Sequence, residues 1–168
     1  KGFEFEGKTL GIVGCGNIGQ RLARMAIGLG MKVLAYDVYK DAKMEKTGEF
    51  SYTDLDLLLS DSDMISLHCP PGKKPLLDSK ALARMRKGVI IVNTARDGLV
   101  DHDALLVALE SGQVTTYATD AYDKEPPELD ALLKHERVVM TPHIGGFTEE
   151  SVERATIAAV QNILQTIG

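Results

Sequence analysis

The chain alternates short, wholly apolar runs with stretches whose apolar residues recur at helical spacing, which predicts strands and helices in turn. The predicted strands are Thr9–Gly14, Lys32–Tyr36, Met64–Leu67, Val89–Asn93, Val114–Thr119 and Val138–Thr141. The predicted helices are Asn17–Leu29, Asp54–Leu59, Ser79–Arg86, Asp101–Glu110 and Glu149–Thr166. Strands that are apolar throughout and alternate with helices are typical of a parallel sheet covered on both faces. The pattern therefore predicts a doubly wound α/β fold with three layers, α/β/α.

Side-chain spacing adds detail to three of these helices. The first helix carries Ile18, Leu22, Met25, Ala26 and Leu29 on one face at helical spacing. Asp101 and Thr148 precede the fourth and fifth helices, and their side-chain oxygens predict N-caps. Because parallel strands place their carboxyl ends at one edge, the residues that follow the strands are expected to line a common ligand crevice.

Composition and charge narrow the class of partner. With 168 residues, 44% of them apolar, the chain fits one domain over residues 1–168. A net charge of −5 without a basic block argues against nucleic acid or a membrane surface, and no apolar run predicts a membrane span. Cys15 and Cys69 form no CxxC pair, and no Cys/His cluster predicts a metal site, so we expect reduced thiols in a cytoplasmic protein.

A glycine-rich turn, Gly14-Cys-Gly16-Asn-Ile-Gly19, joins the first predicted strand to the first helix. Gly14 permits the tight turn, Gly16 lets a pyrophosphate approach the backbone, and Gly19 lets the helix pack against the strand. Such a motif alone also fits a turn without a ligand. Asp37, however, ends the second strand 18 residues later, where a carboxylate binds the ribose hydroxyls of adenosine and repels a 2′-phosphate. The unit predicts a Rossmann-type site for NAD rather than NADP.

Three further motifs follow in order: Asn93-Thr-Ala-Arg96-Asp-Gly-Leu-Val-Asp101, Asp120-Ala-Tyr-Asp-Lys-Glu125-Pro-Pro and Thr141-Pro-His143-Ile-Gly-Gly146. With the glycine motif, they make the chain resemble the D-isomer-specific 2-hydroxyacid dehydrogenases over essentially its whole length, nearest to the phosphoglycerate dehydrogenase branch. The resemblance implies a catalytic set of Arg96, Glu125 and His143 and hydride transfer between NAD and a 2-hydroxy or 2-keto acid.

The residue types suit that chemistry. A planar guanidinium at Arg96 would bind the substrate carboxylate. His143 would give a proton to the developing alkoxide during reduction and take it back during oxidation. Glu125 would orient the imidazole and favour its protonated form. The resemblance further implies cofactor contacts at Asn17, Ile18, Cys69, Pro70, Thr94, Ala95, Asp120, Gly145 and Gly146, in addition to Gly14, Gly16, Gly19 and Asp37.

Two features complicate this interpretation. Asp97 stands where the family commonly has glycine, so an extra negative charge is expected beside Arg96. The resemblance also implies a second, substrate-binding domain that this chain lacks, and a homodimer. We therefore expect little turnover from the isolated domain. His68, His102 and His135 are interpreted as structural, the first at a strand end and the others on the surface.

Two alternatives to the NAD-dependent dehydrogenase remain open. One is an NAD(H)-sensing regulatory module, like the transcriptional corepressors that resemble this family and can keep the same three residues. The other is an NADP-dependent reductase of the glyoxylate type, which the carboxylate of Asp37 disfavours.

Overall fold

The computed structural model describes residues 2–46 and 48–167. Its strands are β1 Thr9–Val13, β2 Lys32–Tyr36, β3 Phe50–Tyr52, β4 Met64–Leu67, β5 Val89–Asn93, β6 Val114–Thr119 and β7 Val138–Met140. Its helices are α1 Asn17–Gly28, α2 Leu55–Asp61, α3 Ser79–Arg84, α4 His102–Glu110 and α5 Glu149–Ile167. Single 3-10 turns lie at Met44–Lys46 and Asp97–Leu99. All six strands and five helices predicted from the sequence are present, with ends shifted by one or two residues.

The seven strands form one parallel sheet in the order β3-β2-β1-β4-β5-β6-β7. The chain order reverses between β1 and β4, which is where doubly wound sheets open a ligand crevice. The register brings Val13, the last residue of β1, beside Tyr36 on one side and Leu67 on the other. The glycine turn, Asp37 and the His68-Cys69 segment therefore leave the sheet side by side. The predicted Rossmann-type fold is confirmed.

Two apolar clusters hold the layers together. The larger one joins β4, β5 and β6 to α2, α3 and α4, and includes the fully buried Ile65, Ile91, Leu105 and Leu109. The smaller one joins β1 and β2 to α1 and β3. Burying one such side chain contributes about 1.5–3 kcal/mol. Because no buried side-chain polar atom of the described residues lacks a hydrogen-bond partner, little of this contribution is offset by unsatisfied groups.

The apolar stripe of α1 is only partly buried, with Ala26 in the core and Leu22 packed against it. Ile18, Met25 and Leu29 are more than half exposed, and the helix packs on the sheet through Gly19, Ala23 and Ala26. The cause is the close approach of α1 to β1: a Cβ on Gly19 would lie 2.3 Å from the carbonyl oxygen of Gly14. Large side chains do not fit between these backbones, so small residues form the buried face.

Strand β3 is absent from the sequence prediction because it has only three residues and a serine interrupts its apolar character. It pairs with β2 at the edge of the sheet, where Phe50 is buried and packs edge-to-face against Tyr52. The predicted caps are confirmed: Asp101 accepts a hydrogen bond from the Ala104 amide, and Thr148 accepts one from the Ser151 amide.

Candidate NAD-binding and active site

The glycine turn has two closely packed positions and one open one. Gly14 has a φ of 92°, and a Cβ there would lie 2.6 Å from the carbonyl carbon of His68, so both strain and contact require glycine. A Cβ on Gly16, in contrast, would meet no atom within 4 Å. Gly16 is also the N-cap of α1, and no side chain caps the helix there. The N-terminal amides of α1, beginning with the exposed Asn17 and Ile18, are thus available to an anion.

A cavity of about 380 Å³ adjoins the turn. Its walls come from the ends of β1, β2 and β4, and include Gly16, Asp37, Cys69 and Pro70. The Asp37 carboxylate accepts hydrogen bonds from the Cys15 amide (2.6 Å) and the Tyr39 amide (2.9 Å). These bonds hold the carboxylate at the rim of the glycine turn. Five of the cofactor residues predicted from the sequence thus line one cavity: Gly14, Gly16, Asp37, Cys69 and Pro70.

The far wall of this cavity is kept uncharged. Burial lowers the pKa of His68, whose Nε2 lies 2.9 Å from the Ser66 hydroxyl. Burial also raises the pKa of the Cys69 thiol and of the Cys15 thiol in the turn. A carboxylate at the rim, an uncharged wall and free helix amides match the ribose, the adenine and the phosphates of a dinucleotide, so the residues present fit NAD.

On the other side of the crevice, Glu125 and His143 are joined by a hydrogen bond between Oε1 and Nδ1. Both side chains are about half exposed. The backbone of His143 has a φ of 53°, a left-handed conformation that few residues other than glycine adopt. Strained backbone of this kind concentrates at functional sites. The bond to Nδ1 leaves Nε2 free to face a substrate, as the predicted proton donor requires.

Asp120, directly after β6, anchors the loop that carries His143. Its carboxylate accepts hydrogen bonds from the Thr141 hydroxyl (2.5 Å), the Ile144 amide (2.9 Å) and the Gly145 amide (2.7 Å). Burial alone would raise the pKa of Asp120, but these three bonds and the nearby His143 lower it. A carboxylate offers about four lone-pair positions, so one remains for the nicotinamide carboxamide that the family resemblance assigns to Asp120.

Arg96 lies in the turn after β5, and Asn93 shapes that turn. The Asn93 side chain donates to the Arg96 carbonyl (2.9 Å) and accepts from the Ala95 amide (3.1 Å). The Arg96 side chain is exposed, and within the described part of the chain no carboxylate forms an ion pair with it. Thr94 is exposed and Ala95 half-buried beside it. An unneutralised guanidinium at this edge is available to a substrate carboxylate.

The structure refines the sequence interpretation of three residues. The Asp97 carboxylate is hydrogen-bonded to the His102 ring (3.0 Å), so its charge is engaged there. His102 and His135 are half-buried, and each ring takes part in hydrogen bonds. Both rings are thus at the surface but partly buried and hydrogen-bonded. The sequence motifs include Asn93 and Thr141 but assign neither a contact. Their place at the end of an apolar strand is the signal that points to both.

Comparison with known proteins identifies the family. The model of the D-isomer specific 2-hydroxyacid dehydrogenase, NAD binding domain, matches residues 1–145. The chain belongs to this family. The domain therefore binds NAD, in agreement with the geometry of its crevice. This confirms the resemblance drawn from the sequence motifs.

Individual relatives agree with that family. The chain is 43% identical to the hydroxypyruvate reductase of Thermotoga maritima, over all of this chain and 56% of that protein. It is 40% identical to the D-3-phosphoglycerate dehydrogenase of Methanocaldococcus jannaschii, over 96% of this chain and 32% of that protein. The D-lactate dehydrogenase of Aquifex aeolicus, solved with NAD and lactic acid, superposes with a TM-score of 0.87 at 33% identity, over 99% of this chain and 56% of that one. The chain thus spans about half or less of the length of these relatives.

The described residues contain neither a membrane-spanning helix nor a cluster of metal ligands. None of their helices is both long and apolar enough to cross a bilayer. No group of three or more histidine, cysteine, aspartate or glutamate side chains in residues 2–46 and 48–167 is placed to hold a metal ion.

Proposed function

We propose that this domain serves an NAD-dependent D-2-hydroxyacid dehydrogenase that interconverts a 2-keto acid and its D-2-hydroxy acid. The observation that carries the proposal is the Glu125–His143 hydrogen bond, at the same edge of the sheet as the exposed Arg96 and the dinucleotide crevice. A proton donor, its orienting carboxylate and an anion-binding guanidinium are the three groups that reduction of a 2-keto acid needs beside the cofactor.

In the direction of reduction, Arg96 binds the substrate carboxylate and aligns the 2-carbonyl group. NADH, when held in the crevice, would supply the hydride that the carbonyl carbon accepts. His143 gives its Nε2 proton to the carbonyl oxygen, which completes the alcohol, while Glu125 stabilises the imidazolium through Nδ1. Oxidation runs in reverse, with His143 taking the hydroxyl proton. Glu125 therefore acts through the ring and not on the substrate.

The cofactor contacts belong to the same proposal. The amides at Gly16, Asn17 and Ile18 bind the pyrophosphate, and Asp37 binds the adenosine ribose. Cys69 and Pro70 line the adenine side. The nicotinamide half lies along Thr94, Ala95, Asp120, Gly145 and Gly146. Support comes from the open face at Gly16 and from the positions of these residues after the ends of β1, β2, β4, β5, β6 and β7.

Substituting the catalytic histidine tests the reaction. In the complete protein, NADH oxidation with hydroxypyruvate and with 2-ketoglutarate is followed for His143→Asn and for the matched control His135→Asn. We expect His143→Asn to lower kcat about 10²- to 10⁴-fold, as loss of general acid–base catalysis does, with unchanged NADH affinity. Retention of kcat in His143→Asn, or an equal loss in His135→Asn, would refute the assignment. Arg96→Gln should chiefly raise the KM for the keto acid.

The substrate pocket is proposed to be completed by a second domain. The support is that the chain spans only about half or less of the relatives with which it aligns. The test compares turnover of hydroxypyruvate and 2-ketoglutarate by residues 1–168 and by the complete protein, with NAD binding by both as the control. Robust turnover by residues 1–168 alone would show that no second domain is needed.

Cofactor choice, assembly and location complete the proposal. Asp37→Ser should narrow the preference for NAD over NADP, and unchanged affinities for both would refute the role of Asp37.

We also propose a homodimer in the cytoplasm. The resemblance supports the homodimer, and the free thiols of Cys15 and Cys69 support a reducing compartment. Light scattering of the complete protein tests the dimer. The relatives named above are a reductase and dehydrogenases, and they give no support to a regulatory module.

A further inference from the structure

His102 joins the two loops that carry the proposed active-site residues. Its Nε2 lies 3.0 Å from Oδ1 of Asp97, and its Nδ1 lies 3.2 Å from Oδ2 of Asp130. Asp97 directly follows Arg96 in the turn after β5. Asp130 lies in the segment after β6, five residues beyond Glu125. Neither the Arg96 turn nor the Glu125 segment belongs to a strand or an α-helix, so this three-residue bridge ties together two loops, one of which contains the 3-10 turn Asp97–Leu99.

The bridge uses both nitrogens of the imidazole, one toward each carboxylate. Carboxylates only accept hydrogen bonds, so the ring is the donor side of the bridge. Asp101 and Asp103 flank His102 on the helix, and Asp101 caps it.

The segment from Tyr122 to Asp130 contributes the other wall of a cavity of about 320 Å³ on which His102 opens. Asp123, Lys124 and Glu128 also line it, and Lys124 is paired with Glu128 at 2.7 Å. Asp130, at the end of this segment, accepts a hydrogen bond from the Leu133 amide (2.8 Å). Burial would raise the pKa of Asp130, but the bonds from Leu133 and His102 lower it. The carboxylate that His102 contacts is thus itself anchored.

We propose that His102 is a positioning residue that holds Glu125 and Arg96 in register by bridging Asp97 and Asp130. The proposal rests on the proposed function. The bridge also explains how an aspartate is accommodated beside an anion-binding arginine: its charge is directed to His102 and away from the substrate carboxylate. Loss of the bridge would let the Glu125 segment and the Arg96 turn move separately. Glu125 orients the proton donor and Arg96 holds the substrate, so both proton transfer and substrate binding would be impaired.

Two variants break the bridge from opposite sides. His102→Leu removes the donors. Asp130→Asn keeps Oδ1 for the Leu133 amide but turns Oδ2 into an amide group that cannot accept from His102. Asp123→Asn is the matched control, since it removes the same charge from the same cavity wall without touching the bridge. His102→Arg offers a rescue, because a guanidinium donates to both carboxylates and the cavity leaves room for it.

In the complete protein, we expect His102→Leu and Asp130→Asn each to lower kcat/KM for the keto acid about tenfold, below the 10²-fold that larger misplacement causes. Both kcat and KM should change, while the KM for NADH should not. The double variant should be no worse than either single variant, because one bridge is lost in each case. His102→Arg should recover part of the loss. Additive losses, or unchanged kinetics in both single variants, would overturn the proposal.

A measurement that needs no turnover separates this proposal from the proposed function. Backbone ¹⁵N order parameters of Asp123, Lys124 and Glu125 should fall from about 0.85 to 0.6 or below in His102→Leu and Asp130→Asn. They should stay unchanged in Asp123→Asn. Unchanged order parameters in an active protein would refute the bridge alone. A wild-type protein with no turnover would refute the proposed function, whatever the order parameters show.

Discussion

Asp120→Asn tests whether one carboxylate holds the His143 loop in place. The substitution keeps the shape of the side chain but turns Oδ2, which accepts from the Gly145 amide, into a donor. The bond to Gly145 is lost, and the bonds from Thr141 and Ile144 lose their ionic character. A hydrogen bond to a charged group contributes about 1.5–3 kcal/mol and a neutral one about 0.5–1.5 kcal/mol, which gives a gross loss of roughly 4 kcal/mol.

Part of this loss is offset, because the variant no longer buries a charge. Asp120 is 6% exposed, and burial is the largest influence on its pKa. We therefore expect a net loss of about 2 kcal/mol in the free energy of unfolding at pH 7. Urea-induced unfolding measures it. Asp54→Asn serves as control, since it removes one charge but leaves an equally good cap for the Leu57 amide at the start of α2.

The stability difference between wild type and Asp120→Asn should also depend on pH in a definite direction. The pKa of Asp120 is lower in the folded state than in the unfolded chain, so its ionised form stabilises the fold above the ordinary aspartate value of about 3.9. This stabilisation is lost as the pH falls through the lower, folded-state value. The difference between wild type and Asp120→Asn should thus be largest near pH 7 and shrink below pH ~4. A difference under about 0.5 kcal/mol at pH 7, the range of ordinary surface substitutions, would refute the anchoring role. So would a gap independent of pH.

Three other predictions follow from the same contacts. Gly14→Ala, at a φ of 92°, should lower the free energy of unfolding, measured in urea, by about 3 kcal/mol. Gly16→Ala should leave that free energy unchanged but weaken NAD binding in calorimetry. Equal effects of the two variants would contradict a structural role for Gly14 and a binding role for Gly16. Gln113→Leu removes two hydrogen bonds to carbonyl oxygens at the end of α3 and should cost about 1–2 kcal/mol in thermal unfolding. Because burial lowers the pKa of His68, protonation of this ring opposes folding. His68→Asn should therefore reduce the loss in free energy of unfolding below pH ~6.5. The same loss in variant and wild type would contradict this prediction.

The adenosine half of the crevice could be predicted from the sequence because its determinants are local. The glycine turn and Asp37 lie within one strand–helix–strand unit, and each is adjacent to a strand end. Parallel pairing then fixes their proximity without any knowledge of distant contacts. Cys69 was assigned to the cofactor by the family resemblance, and the pairing of β4 with β1 brings it beside the turn.

The contacts that depend on tertiary structure could not be predicted in this way. The bridge from Asp97 through His102 to Asp130 joins residues up to 33 positions apart along the chain. No periodicity links them, so His102 reads as an ordinary surface residue. For a related reason, the sequence did not show which face of α1 packs on the sheet. The apolar residues recur at helical spacing along one stripe of α1. The backbones of α1 and β1, however, are so close at Gly19 that only small residues fit between them.

The left-handed backbone at His143 restricts how this position can change during evolution. Alanine or a β-branched residue would lose the imidazole and also resist the φ of 53° that the loop imposes. Asparagine and aspartate tolerate that conformation, so they are the replacements that remove the proton donor at least cost to folding. A lineage that abandoned hydride transfer but kept the NAD crevice would therefore be expected to carry asparagine or aspartate here, a signature readable from sequence alone.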